Sequence, residues 1–98
     1  MTHLLRTLIV DDEALARLRL RTLLQDCRDP AVQVVAEAGD AQTALDWLRV
    51  HEDCDLVLLD IRMPGRDGLQ LAAALRSLPH PPAVVFVTAH GNHALQGR

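Results

Sequence analysis

Apolar and polar positions alternate in two rhythms along this chain. Four short stretches, Leu4 to Val10, Gln33 to Ala38, Asp55 to Asp60 and Ala83 to Val87, are dominated by aliphatic and β-branched residues. They predict strands. Between them, apolar residues recur every three or four positions. Ala16, Leu20, Leu23, Leu24 and Cys27 form one such stripe, predicting a helix from about Glu13 to Asp26, with Arg17, Arg19 and Arg21 mostly off its apolar face. Arg28-Asp29-Pro30 ends that helix, because Pro cannot continue it and restricts the residue before it. Gly39-Asp40 predicts a turn with Asp40 as N-cap, followed by a second stripe of Ala41, Ala44, Leu45 and Leu48. Pro64-Gly65 and Asp67-Gly68 mark a loop, and Asp67 with Gln70 has capping-box spacing. Leu71, Ala72, Leu75 and Leu78 supply the third stripe, and Pro79, Pro81 and Pro82 a stiff connector. From His90 the chain turns polar, with a helix start at Asn92. The order βαβαβαβ implies an α/β fold, a parallel sheet covered on both faces.

Two of the strands end in acid. Leu8-Ile9-Val10 runs into Asp11-Asp12, and Leu56-Val57-Leu58-Leu59 into Asp60. Ligands of parallel α/β sheets bind at the carboxyl ends of the strands. Three carboxylates on two adjacent strand ends repel one another unless a cation, usually Mg²⁺, sits among them. The fourth strand ends in Thr88-Ala89, which brings a hydroxyl to the same edge.

Composition narrows the alternatives. At 49% hydrophobic over 98 residues the chain can bury one core, and with one Phe, one Trp and no Tyr that core must be aliphatic. A net charge of -3 argues against direct nucleic-acid binding, which asks for a basic stripe. No apolar run reaches the roughly 18–20 residues of a membrane span. Cys27 and Cys54 are isolated, without a CxxC pattern, and are expected to be reduced, semi-buried thiols of a cytoplasmic protein. Trp47 is expected to cover the sheet edge from the second helix. His90 and His93 could share one helix face as metal ligands, but nearby ligands are lacking; solvent exposure is expected for them and for His3, His51 and His80.

Together these segments resemble a response-regulator receiver domain. The resemblance rests on Leu8-Ile9-Val10-Asp11-Asp12-Glu13, on Leu58-Leu59-Asp60-Ile61-Arg62-Met63-Pro64-Gly65-Arg66-Asp67-Gly68 and on Val85-Phe86-Val87-Thr88-Ala89, in family order and spacing over essentially the whole chain. Glu13 to Arg17 and Thr88-Ala89-His90 look most like regulators that carry a LytTR-type DNA-binding output domain. The resemblance implies a doubly wound, flavodoxin-like or CheY-like sheet of order 2-1-3-4-(5). It also implies Asp60 as phosphoacceptor. Asp12 would bind Mg²⁺ directly, Asp11 mainly through water, and Arg62 through its backbone carbonyl. Thr88 would contact the phosphoryl group and move on phosphorylation, and the Ala89 backbone N–H would face the phosphate. The implied partner is a sensor histidine kinase; the module is not an enzyme that turns over substrate.

The family also places a Lys at the end of a fifth strand. All ten basic residues here are Arg, so residues 1–98 are expected to be an incomplete receiver, part of a longer regulator, lacking the fifth strand and last helix. An uncovered fourth strand would then favour a homo-oligomer through the sheet edge or swapped elements. Two other functions compete. A small Mg²⁺-dependent phosphatase with Asp60 as nucleophile usually has a second acid two residues on, where this chain has Arg62. A receiver-like interaction module that takes no phosphate is favoured by the missing Lys and disfavoured by the intact acidic trio.

Overall fold

The computed structural model describes residues 4–28, 31–60 and 68–87. Four strands, β1 (Leu4–Val10), β2 (Ala31–Ala38), β3 (Leu56–Asp60) and β4 (Ala83–Val87), alternate with three helices, α1 (Ala14–Gln25), α2 (Ala41–Val50) and α3 (Gly68–Leu75). The strands form one parallel sheet in the order β2-β1-β3-β4, the doubly wound arrangement anticipated from the sequence. No helix among the described residues is long and apolar enough to cross a membrane.

Alternation along the strands sorts residues onto two faces. Leu8 and Val10 of β1 and Val57 and Leu59 of β3 join Ala41, Ala44, Leu45 and Leu48 of α2 and Leu71 and Leu75 of α3 in one buried aliphatic cluster. Ile9 and Leu58 take the opposite phase, toward α1, and are also buried. Trp47 is half-buried against the main cluster and stacks on His51, with ring centroids 4.1 Å apart. Asp40 caps α2: its carboxylate accepts from the Thr43 N–H at 2.7 Å. That bond holds the Asp40 carboxyl below the usual carboxylate range.

Strand β2 starts two residues before the apolar pattern suggested, because Ala31 and Val32 pair with Leu4 and Leu5. It also contains an irregularity. Thr7 pairs with Val34 but Leu8 pairs with Ala36, so Val35 is an extra residue, a bulge that reverses the side-chain phase beyond it. Ala36 and Ala38 consequently align with Leu8 and Val10, and Glu37 aligns with Ile9 on the α1 face. An unbroken register would instead place Glu37 beside Val10, in the apolar cluster.

Helix α1 departs from its expected face. Ala16 is buried and Leu20 and Leu24 are half-buried, but Leu23 is 65% exposed and Cys27 is exposed as well. Arg17 and Arg21 share the inner side and reach Glu37 of β2. These ion pairs and the close fit of the small Ala16 set the rotation of the helix, which turns Leu15, Leu18 and Leu23 outward. Both cysteines are free; Cys54 is buried, so only one of the two thiols lies in the interior.

The two classes of leucine have different energetic weights. Leu71→Ala should destabilise by about 2–5 kcal/mol through the cavity it leaves. Leu23→Ala should stay within about 0.5 kcal/mol of wild type. Urea unfolding of the two variants checks this; a Leu23→Ala loss equal to that of Leu71→Ala would contradict the observed helix rotation.

Candidate functional site

The register that builds the sheet also builds a site. Val10 pairs with Leu59, and Asp60 is the last residue of β3. The next residue of β1's path, Asp11, therefore arrives beside Asp60. Its N–H still donates to the β2 carbonyl of Ala38 at 3.0 Å, so Asp11 is held as a continuation of the ladder. Asp11 and Asp60 are buried, at 1% and 3% exposure, while Asp12 is exposed. One carboxylate oxygen from each of the three lies within 4.8 Å of the others.

The Asp11 carboxylate has two different oxygens. Oδ1 accepts the Glu13 N–H at 2.9 Å. Oδ2 is buried and has no hydrogen-bond partner among the described residues. A buried acceptor left unsatisfied is costly, and a buried unpaired charge more so. Burial pushes the Asp11 carboxyl above its ordinary value, and the neighbouring charges of Asp60, Asp12 and Glu13 add to that; the Glu13 N–H works against it.

This donor set fits a hard divalent cation. All three ligands are carboxylate oxygens, which suit Mg²⁺ rather than the softer metals that seek Cys or His. The exposed Asp12 leaves one side open to water, which Mg²⁺ retains readily. The orphaned Oδ2 is the atom that a cation would satisfy.

The three acids singled out from the sequence are thus brought together. Arg62, Thr88 and Ala89 lie outside the described residues, as do Asp67, His90 and His93. Sequence reasoning missed two contributors. The Glu13 N–H fixes Asp11 from within the turn before α1. Arg17 donates from its guanidinium to the Asp11 carbonyl at 2.6 Å. A signal for the second existed: Arg17 and Arg21 stand four apart on one helix, an arrangement that can grip one acidic residue, but nothing in the sequence placed Glu37 on the facing side.

Comparison with known proteins agrees with this geometry. Residues 7–98 match the model of the response regulator receiver domain. The chain is 47% identical over 94 residues to the positive alginate biosynthesis regulatory protein of Pseudomonas aeruginosa, covering 94% of this chain and 36% of that protein. It is 40% identical over 93 residues to the sensory transduction protein LytT of Bacillus anthracis, covering 95% of this chain and 37% of that one. It spans just over a third of the length of these relatives. Among solved structures, the response regulatory domain of protein mrkE from Klebsiella pneumoniae superposes with a TM-score of 0.73 at 32% identity, covering 95% of this chain and 74% of that one. CheY-type architecture is represented by a CheX–CheY–BeF3–Mg²⁺ complex from Borrelia burgdorferi, with a TM-score of 0.69 at 26% identity, covering 93% of this chain and 66% of that one. The chain belongs to the response regulator receiver domain family, the receiver modules of two-component systems.

Proposed function

We propose that Asp60 is the phosphoacceptor of this receiver, charged by the phosphohistidine of a sensor histidine kinase. The observation that carries this reading is a nearly fully buried Asp60 facing Asp11 at the ends of adjacent parallel strands. In the transfer, an Asp60 carboxylate oxygen forms the new bond to phosphorus as the phosphorus–nitrogen bond breaks. The electron pair goes to the departing imidazole nitrogen. In-line phosphoryl transfer of this kind asks mainly for positioning and charge stabilisation. Asp11, Asp12, Asp60 and the Arg62 carbonyl would hold Mg²⁺, which would offset the negative charge of the carboxylates and of the incoming group. The Thr88 hydroxyl and the Ala89 N–H would donate to the phosphoryl oxygens, with Thr88 reporting occupancy by its movement.

In this reading the module takes one phosphoryl group and passes on a change of state, without turning over substrate. It works in the cytoplasm as part of a longer regulator, with a LytTR-type transcriptional output domain and no nucleic-acid contact of its own. A second reading, an interaction module that takes no phosphate, has one observation in its favour for these residues taken alone: there is no Lys among the 98 residues, so none of them supplies an ammonium to neutralise the transferring group. Incubation with acetyl phosphate separates the two. Incorporation labile to alkali and to hydroxylamine, as for an acyl phosphate, should require Mg²⁺, should be slow in these residues alone, and should vanish in Asp60→Asn, whose amide is a far poorer nucleophile. Incorporation that survives in Asp60→Asn would move the acceptor elsewhere, and none in any form of the regulator would favour the second reading.

Assembly is the other element of the proposal. Among the described residues β4 lies at one edge of the sheet, and its Val85 and Phe86 are 47% and 43% exposed. An apolar, uncharged edge of this kind is a template for pairing. We therefore expect self-association of this chain through β4 edges or exchanged elements. Sedimentation equilibrium should give a mass that rises with concentration above 10.8 kDa; a constant monomer mass would refute it.

A further inference from the structure

The acidic site is held by a link that runs behind it. The Arg17 guanidinium sits between two elements, its Nε donating to Glu37 Oε1 at 3.0 Å and a terminal nitrogen donating to the Asp11 carbonyl at 2.6 Å. Glu37 is itself gripped by Arg21, whose Nε donates to Oε2 at 2.7 Å, and the two arginines hold the Glu37 carboxyl below its ordinary range, Arg21 most strongly. The Asp11 peptide is therefore tied to the last two residues of β2 from both ends. Its N–H bonds directly to the Ala38 carbonyl, and its carbonyl bonds through Arg17 to Glu37. With Oδ1 fixed by the Glu13 N–H, Oδ2 is the one atom of the carboxylate without a partner among the described residues.

We infer that Arg17 is a positioning residue for the metal site, acting through the Asp11 backbone and anchored by Glu37. This rests on reading the three acids as a cation site. The β2 bulge is part of the same device, because it puts Glu37 on the α1 face rather than in the core. Arg suits this role: its planar fork donates from two separate nitrogens, Nε to the Glu37 carboxylate and a terminal nitrogen to the Asp11 carbonyl, whereas the three donors of a Lys all leave from one compact ammonium and lack that fixed spread. Partners that orient a ligand from behind are known to tune metal affinity by about 10–100-fold when removed. Here the hold is on the ligand's backbone, so an effect near the lower end is expected.

Charge alone makes the opposite forecast. Arg17 is a cation near a cation site, so if charge were its only influence, removing it would tighten Mg²⁺ binding. The test is Mg²⁺ titration followed by amide NMR shifts at Asp11, Asp12 and Asp60, in wild type, Arg17→Lys, Arg17→Met, Glu37→Gln and Arg21→Met. Arg17→Lys keeps the charge and should weaken binding by up to about tenfold. Arg17→Met should weaken it too, and adding Glu37→Gln to Arg17→Met should bring no further loss, since the link is already broken. Arg21→Met breaks the other Glu37 pair but not the bond to Asp11, and should leave Mg²⁺ affinity unchanged while lowering metal-free thermal stability. Wild-type affinity in Arg17→Lys, or tighter binding in Arg17→Met, would overturn the inference while leaving the metal site intact. A wild type that binds no Mg²⁺ would overturn the metal reading and this inference with it.

Discussion

Repulsion among carboxylates at the ends of β1 and β3 is the constraint around which this domain is arranged. The parallel register sets Leu59 beside Val10 and so delivers Asp60 next to Asp11, both almost fully buried. Desolvation and mutual repulsion then act together on Asp11. A fold optimised only for stability would not put two buried carboxylates against each other. Three carboxylate oxygens gathered in this way could hold a metal ion, whose charge would offset the repulsion.

The rest of the structure keeps this unfavourable cluster from relaxing. The aliphatic cluster under α2 and α3 fixes β1 and β3 relative to each other through Leu8, Val10, Val57 and Leu59. On the other face, α1 contributes few buried leucines. It is attached instead by Ala16 and by the Arg17–Glu37–Arg21 triad, so the helix that follows the acidic loop is oriented by polar contacts. Surface ion pairs individually contribute little, but these are partly buried and share one carboxylate, and Arg17 alone of the two also reaches the Asp11 carbonyl, where a small displacement matters to the site.

Much of this was legible in the sequence because parallel α/β folds write their plan in the simplest code. Uninterrupted apolar runs such as Leu56 to Leu59 mark central strands, and the acid that stops each run marks the binding edge. The stripe on α2 and its Asp40 cap were equally plain. What was not legible depended on phase. The sequence of α1 carries leucines around most of its circumference, so counting apolar spacing put Leu23 and Cys27 in the core, where neither lies. The side that is buried is decided by Glu37, and the place of Glu37 is decided by one extra residue in β2. A bulge of that kind leaves no mark in a periodicity that is already uniformly apolar, as it is across Val34, Val35 and Ala36. The role of Arg17 was hidden for the same reason.

The central claim is that a buried, mutually repelling carboxylate cluster is held in readiness for a divalent cation. Thermal unfolding of wild type and Asp11→Asn, each with and without Mg²⁺, tests it most directly. Because the folded-state value of Asp11 is raised, the folded protein binds the proton more tightly than the unfolded chain does. Its contribution to metal-free stability therefore falls as pH rises from the unfolded-state value through the folded-state one, and is at its worst at neutral pH. Asp11→Asn keeps the acceptor for the Glu13 N–H and removes the charge, so at neutral pH its metal-free Tm should exceed that of wild type. Mg²⁺ at ten times its Kd should stabilise wild type by about 1.4 kcal/mol, or roughly 6–11 °C for a domain of this size, and should leave Asp11→Asn nearly unmoved. A wild-type Tm indifferent to Mg²⁺, together with an Asp11→Asn variant less stable than wild type without metal, would contradict the account.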